Sequence, residues 1–463
     1  MTGSGRRLAA FASLWAALVL VFGAGSVQAY RYLPDPAFGT GGALNLLPSN
    51  GAGGVFHEVR EVVPGPGGSV YVHYRDLPTA ETYECEARHY LARLLPSGGL
   101  DTSFGIGGFA TIVSPLGCQF PTLGVDAEQR PLVTWTSVGS SDVPSSTLAI
   151  TRLTTAGAPD PSFGSYGVAL LQIPCPGGNG ADADAGPDGR LILQLGCRAD
   201  ESAQGIEASP FQSYLARLLP DGALDPGFGA AGFVLLPSEA GWEVPDVAAV
   251  EPDGAAILAQ TTQYVIGVPQ RSRLLRLRPD GLLASGYQAR VERSLRRVAG
   301  LAAPQIPEDA TDFVIGPGGD LLISGHSQRG GYVIGLRHDG SLEQEFGDDG
   351  YRRFATRIQY IALDRHGRLF VLGDESQRLT IHRLLPHGNR DRLVGGTTGQ
   401  HLGIESTGQL ADLVSLWHGR PLLYFENLGS CSTREECAEP AELQRYRFVA
   451  KERAKPARRG GAQ

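Results

Sequence analysis

Apolar and polar residues alternate along this chain in runs of four to six, and the runs come in pairs broken by a Gly turn. Val62 to Val72, Ala183 to Leu193, Val247 to Leu258, Val314 to Ile323 and Ile361 to Val371 all have this form. Gly124 to Trp135 and Leu413 to Tyr424 complete seven copies. Period-two alternation around a tight Gly or Asp-Gly turn predicts a β-hairpin. No segment shows a helical period of useful length, so an all-β fold is expected.

Between the hairpins a second unit recurs. Leu91 to Gly105, Ile150 to Gly164 and Leu215 to Gly229 share one pattern, Arg-Leu, then a Gly turn, then Asp-x-x-Phe-Gly. Weaker copies carry Arg276 with Tyr287, Leu336 with Phe346-Gly347, and Arg383-Leu384 with Val394-Gly395, and a truncated copy opens at Asp35. The aromatic or equivalent position falls at 38, 104, 163, 228, 287, 346 and 394, a period of about 59 residues. Each repeat therefore offers four short antiparallel strands: the hairpin, the Arg-Leu strand and the strand after Phe-Gly. Seven such repeats predict a seven-bladed β-propeller of four-stranded antiparallel blades. Because the chain opens in mid-repeat, residues 38 to 47 are expected to pair with residues 443 to 449 and close the ring with the N-terminal strand.

The repeated residues have structural tasks. Asp35, Asp101, Asp160, Asp225 and Asp391 can close a turn by accepting backbone N–H bonds, with Glu343 and Ala284 at the same position in two copies. Phe38, Phe104, Phe163, Phe228 and Phe346 read as plugs between blades, each stabilising by about 2 to 3 kcal/mol. Arg93, Arg152, Arg217, Arg276 and Arg383 share one position, with Gly335 replacing Arg in the fifth copy and Arg445 the best match in the last. An ion pair with the repeat Asp is expected there, ahead of an anion-binding ring.

The pattern Arg-Leu-x-x-Asp-Gly-x-Leu-Asp-x-x-Phe-Gly-x-x-Gly followed by an Asp-Gly hairpin resembles the delta-60 repeat family of bacterial exported proteins, over residues 30 to 450. The blade is also similar to the NHL type. The resemblance implies a propeller in an extracytoplasmic setting, and it brings no catalytic signature.

Composition fits this reading, with 463 residues, 63 of them Gly and 31 Pro. Arg6 and Arg7, the apolar run Leu8 to Val21 and Val27-Gln28-Ala29 predict a signal peptide over residues 1–29, cut after Ala29. The mature chain is then periplasmic or secreted, and not integral to the membrane. Residues 451–463 read as a disordered basic tail. The formal charge of -8 moves to -10 on cleavage, and an acidic body argues against nucleic acid as partner. Six exported cysteines suggest disulfides, paired as Cys431 with Cys437, Cys175 with Cys197 and, by elimination, Cys85 with Cys118.

No local motif marks a catalytic centre, a cofactor or a metal. Gly325 to Arg329 lacks the last Gly of a nucleophile elbow. Asp182, Asp184 and Asp188 lack the Glu that ends a calcium loop, and Asp348-Asp349-Gly350 sits in the same kind of turn. The ten His residues show no paired-ligand spacing. The expected function is that of a monomeric binding or scaffold module for a protein or glycan in the cell envelope. The alternative is an exported lyase, lactonase or glycan hydrolase acting at the channel mouth. Either would be carried by the irregular insertions at 76–89, 200–213 and 429–443.

Overall fold

The computed structural model describes residues 30–450 except 47–55, 78–86, 117–118, 138–146, 175–177, 180–182, 199–210, 237–245, 262–271, 300–309, 317, 328–329, 365, 376–377, 392–399, 406–408, 418–419 and 427–441. Its strands form seven small antiparallel sheets. The innermost strand of each sheet touches the innermost strand of the next, and the seventh touches the first. The chain is thus a seven-bladed β-propeller, nearly all β, with one helix among the described residues. No described helix is long and apolar enough to cross a membrane.

From the channel outward, blade 1 is Phe56–Pro64, Val70–Leu77, Arg88–Leu94 and Phe109–Ile112. Blade 2 is Gln119–Val125, Pro131–Ser137, Thr147–Arg152 and Val168–Gln172. Blade 3 follows with Gly178–Asn179 and Ala183–Ala185 sharing the inner place, then Leu191–Arg198, Phe211–Leu218 and Phe233–Leu235. Blades 5 and 6 repeat the scheme from Ala310 to Phe354 and from Arg357 to Glu405.

There is no single core. Apolar side chains gather at the seams, because a blade's middle strands are covered on both faces by its neighbours. At the seam of blades 2 and 3, Leu132, Ile150 and Phe163 meet Leu191, Leu193 and Ala216, all fully buried. Among the described residues four seams are fastened by one recurring clasp, clearest at Arg152. Its Nε donates to Asp160 Oδ2 at 2.8 Å, and its Nη1 donates to the Pro220 carbonyl of blade 3 at 2.7 Å. Its guanidinium also lies 4.4 Å over the Phe163 ring, a cation–π contact. Asp160 Oδ1 accepts the Ser162 N–H at 3.0 Å, closing an Asx turn. Finally, Gly164 N donates to the Asp221 carbonyl of blade 3 at 2.7 Å.

That last bond needs glycine twice over. Gly164 has φ 55°, and a Cβ on it would lie 2.1 Å from the Val168 carbonyl oxygen, a collision nothing can relieve. The same N–H reaches across four other seams, from Gly39 to Ser97 O, Gly105 to Ala156 O, Gly229 to Asp280 O and Gly347 to His387 O, at 2.8 to 2.9 Å.

Blade 4 departs from the pattern. Its strands are Asp246–Val250, Ala256–Thr261 and Ser272–Leu277, and the helix Tyr287–Ala299, here α1, stands where a fourth strand is expected. This corrects the expectation that no segment is helical. The cause is local: Tyr287-Gln288 replaces Phe-Gly, and a side chain cannot occupy the Gly site, so the chain continues into a helix. Tyr287, Val291 and Leu295, four residues apart, form its buried stripe, and Arg296 and Arg297 complement the C-terminal dipole. The seam survives by substitution. Arg290 Nε donates to the Asp339 carbonyl of blade 5 at 2.6 Å, the bond the Gly N–H makes elsewhere. α1 also covers the exposed edge of Ser272–Leu277, one of the ways natural sheets blunt an edge.

Blade 7, formed by Gln409–Trp417, Arg420–Glu426 and Glu442–Ala450, takes its outer strand from the other end of the chain. Tyr30–Pro34 pairs with residues 446–450, and Ala43–Asn45 with residues 442–444. Of the expected strand over 38–47 only Ala43–Asn45 pairs with the last strand, because the Phe38-Gly39 turn occupies its start, and Tyr30–Pro34 supplies the remaining pairing. That turn docks on Ser97 of blade 1, and Arg445 Nε donates to Asp35 Oδ2 at 3.0 Å. The N-terminal segment thus completes blade 7 and clasps it to blade 1 in the same sixteen residues.

Candidate functional site

Most of the repeated polar residues are consumed by the seams. Arg93 pairs with Asp101, Arg217 with Asp225 and Arg383 with Asp391, at 2.7 to 2.9 Å. Where copy four has Ala284, Arg276 turns instead to Glu251 at 2.5 Å. Where copy five has Gly335, Arg337 pairs with Glu343 at 2.8 Å, and Arg352 Nε reaches the Gly388 carbonyl of blade 6 at 3.1 Å. Burial alone would push the Asp160 carboxyl up, but the Ser162 hydrogen bonds and the guanidinium groups of Arg152 and Arg130 outweigh it and hold it below the usual carboxylate range. Phe38, Phe104, Phe163, Phe228 and Phe346 are all buried. These residues hold blades together.

The other motifs disperse. Gly325, His326 and Ser327 lie in the second strand of blade 5, inside a hairpin rather than a strand-to-helix elbow. Asp188 Oδ2 pairs with Arg190 at 2.5 Å in its turn, whereas Asp184 sits on the channel strand Ala183–Ala185, and Asp182 lies outside the described residues. Asp348 pairs with Arg352 and Asp349 with Arg297. Among the described residues no three His, Cys, Asp or Glu side chains gather as metal ligands. Cys85, Cys118, Cys175, Cys431 and Cys437 lie outside the described residues, as do Val394, Gly395, the leader, the tail and most of the three insertions. Cys197 lies on the second strand of blade 3, with Gly178 opposite it.

The structure assembles two features that sequence spacing concealed. The first is a buried polar chain in blade 1. A β-bulge between Val59 and Glu61 re-aims the inner strand, and Glu61 Oε2 accepts the Leu123 N–H of blade 2 at 2.7 Å. His73 Nδ1 lies 3.3 Å from the same oxygen, and His73 Nε2 lies 3.0 Å from His89 Nδ1. His89 packs edge-on against Trp135. Burial, then His73, Arg75 and Arg60, lower the His89 pKa to about 4, so its imidazole is neutral at pH 7. The two His are sixteen residues apart on neighbouring strands, a relation no ligand motif encodes.

The second is an open apolar groove on the rim, at the seam where the N-terminal segment meets blade 1. It has a volume of about 920 Å³ and is lined by Leu44 and Leu46 from that segment, and by Tyr74, Tyr90, Leu100, Ile106 and Phe109 of blade 1. Ile106 is 92% exposed, Phe109 41%, and Val113 at the end of the same edge 74%. Asp76 and Thr111 are the other polar side chains of its lining, and the Tyr74 hydroxyl donates to the Leu46 carbonyl at 3.0 Å.

A family model described as a domain of unknown function (DUF5122) beta-propeller matches residues 205–228, ending on Phe228. No curated protein matches the chain. Among solved structures, the chain is similar to prolyl oligopeptidase B from Galerina marginata, at 11% identity and a TM-score of 0.46 over 80% of this chain and 47% of that one. It therefore spans about half the length of that enzyme. It also resembles the polysaccharide lyase Uly1, at 10% identity and TM-score 0.42 over 92% of this chain and 98% of that one. A third is an acylaminoacyl peptidase from Pyrococcus horikoshii, at 8% identity and TM-score 0.44 over 80% and 49%. Overlaps of this size convey nothing about substrate or chemistry.

The neutral His89 predicts a pH dependence. Unfolded, the imidazole takes up a proton near its ordinary 6.5, and folded it does so only at about 4. Its contribution to stability is thus full above pH 6.5 and is lost as pH falls toward 4, with a slope approaching about 1.4 kcal/mol per pH unit. Urea unfolding of the parent and of His89→Gln across this range should show that the variant lacks this slope. Superimposable profiles would contradict the assignment.

Proposed function

We propose that the protein is an exported propeller of the delta-60 repeat type that binds a protein partner of the cell envelope through the groove on blade 1. The observation that carries this reading is the groove itself. Its walls are aliphatic and aromatic, it opens to solvent, and apolar surface of this kind on a rim marks an interaction site. A glycan was the other expected partner, but this groove offers few polar groups for a hydroxyl-rich ligand, so the lining favours a protein segment with apolar side chains. The partial family match over the third Arg-Leu to Phe unit supports the repeat type.

Export rests on the basic, apolar and small-residue order of residues 1–29. The oxidising compartment then favours the Cys175 to Cys197 bridge, since Cys175 lies three residues before the residue opposite Cys197. The pairings of Cys431 with Cys437 and of Cys85 with Cys118 belong to the same proposal.

Non-reducing peptide mapping of the protein recovered from periplasm or medium should begin at Tyr30 and contain the Cys175–Cys197 cross-linked peptide. A Met1 start or free thiols at these positions would overturn export or pairing respectively. For the groove, a photo-crosslinking amino acid placed at Thr111 should give a discrete protein adduct in intact envelopes. Combining it with Ile106→Asp and Phe109→Glu should abolish the adduct while circular dichroism stays unchanged. No adduct, or one indifferent to the double substitution, would sink the groove reading.

A further inference from the structure

The outer rim changes character round the ring. On blades 1 to 3 its exposed side chains include Phe109, Leu170 and Leu235, whereas on blades 4 and 5 the rim is rich in arginine. α1 carries four Arg and one acid, Glu292, over 13 residues, about 20 Å of helix. Its apolar stripe is buried in the seam of blades 4 and 5, which turns Arg293, Arg296 and Arg297 to solvent.

The basic surface continues past the helix. Arg297 Nη2 lies 3.2 Å from Asp349 Oδ2, and Asp348 Oδ2 of the same turn accepts from Arg352 Nη1 at 2.6 Å. Arg352 Nη2 donates in turn to Asn389 Oδ1 of blade 6 at 2.8 Å, and Arg390 Nη2 donates to the Arg353 carbonyl at 2.8 Å. The guanidinium groups thus form one band from blade 4 across blade 5 to blade 6. Both aspartates between them are exposed, and ion pairs in such a setting are weak and salt-sensitive. Burial, and then the neighbouring Arg352, lower the Arg390 pKa, so like charges are held close together here. The whole chain carries -8, so the band opposes the sign of the body.

We propose that this band binds a linear acidic polysaccharide, whose carboxylate or sulfate groups meet successive arginines. The planar fork of Arg matches an oxyanion through two hydrogen bonds. A row of such groups over two seams suits a repeating polyanion better than a single small anion, because contacts that are weak alone add up along one strand. A membrane surface fits less well, since α1 buries the apolar stripe that an interfacial helix would insert. Nucleic acid also fits less well. The rings of Tyr351 and Phe354 lie under Arg353 and Arg390, at 5.4 and 5.0 Å, where bases would otherwise stack. The band shares no residue with the blade 1 groove.

Titration calorimetry on the purified protein tests this with polygalacturonate and dextran sulfate as probes and dextran as the neutral counterpart. At least one acidic probe should bind, dextran should not, and binding should weaken as salt is raised. The variant R293Q/R296Q/R297Q removes three exposed charges and should weaken binding about tenfold, with the circular dichroism unchanged. Arg353→Gln, which leaves the helix intact, should weaken it about twofold. The basic residues of the C-terminal stretch serve as the control: K455Q/R458Q/R459Q should bind as the parent does. The inference is overturned if neither acidic probe binds, if dextran binds equally, or if the C-terminal variant loses binding while the α1 variant keeps it. Tighter binding of a thymidine oligonucleotide or of phosphatidylglycerol vesicles than of both polysaccharides would overturn it too. None of these variants touches the groove, so its cross-link reports independently.

Discussion

Seven sheets with no common core can form one body only if each seam is fastened, and at four of the seams described the Arg-Asp-Phe-Gly clasp is that fastening. Its parts depend on one another. Asp160 closes its own turn and receives Arg152, which lies over Phe163 and reaches the Pro220 carbonyl of the next blade. The turn then aims the Gly164 N–H at that blade. A buried arginine is costly unless its donors are met, and here the carboxylate, the carbonyl and the ring face meet them together. Burial lowers the Arg152 pKa from its ordinary value, yet the paired carboxylates Asp160 and Asp126 favour the charged form.

The same constraint explains the departures. Blade 4 cannot make the Gly turn because Gln288 stands in it, and α1 supplies Arg290 to the carbonyl that the Gly N–H would have bonded. Blade 5 has no Arg at the repeat position, and the Phe346 ring closes on Gly335, where a Cβ would be 3.0 Å from it, while Arg352 takes over the cross-seam bond. Residues 30–45 come round to complete the last blade and clasp it to blade 1. Beside that closure the clasps leave an open apolar groove on the rim.

Much of this was legible because each clasp residue falls at a fixed offset in its repeat, so Asp101, Phe104 and Arg93 announce their counterparts at 160, 163 and 152. The blade count and the return of the N-terminus follow from the same arithmetic. α1 escaped because only Tyr287, Val291 and Leu295 mark its buried stripe, set among arginines in a copy read by analogy with its neighbours. The missing Gly at 288 was the available signal. His73 and His89 escaped because they meet diagonally across two strands. The groove was hidden because Leu44 and Ile106 belong to successive repeats and meet only where the Phe38-Gly39 turn docks on blade 1.

If the ring is held by its seams and closed by residues 30–45, removing that segment should be felt at two places far apart in sequence. Hydrogen exchange on a chain lacking residues 30–45 is the most direct measurement. The account predicts faster exchange in the last strand, residues 442–450, and in the turn at residues 95–99 of blade 1, with protection kept in blades 3 to 5. Unchanged protection at residues 442–450 would contradict it.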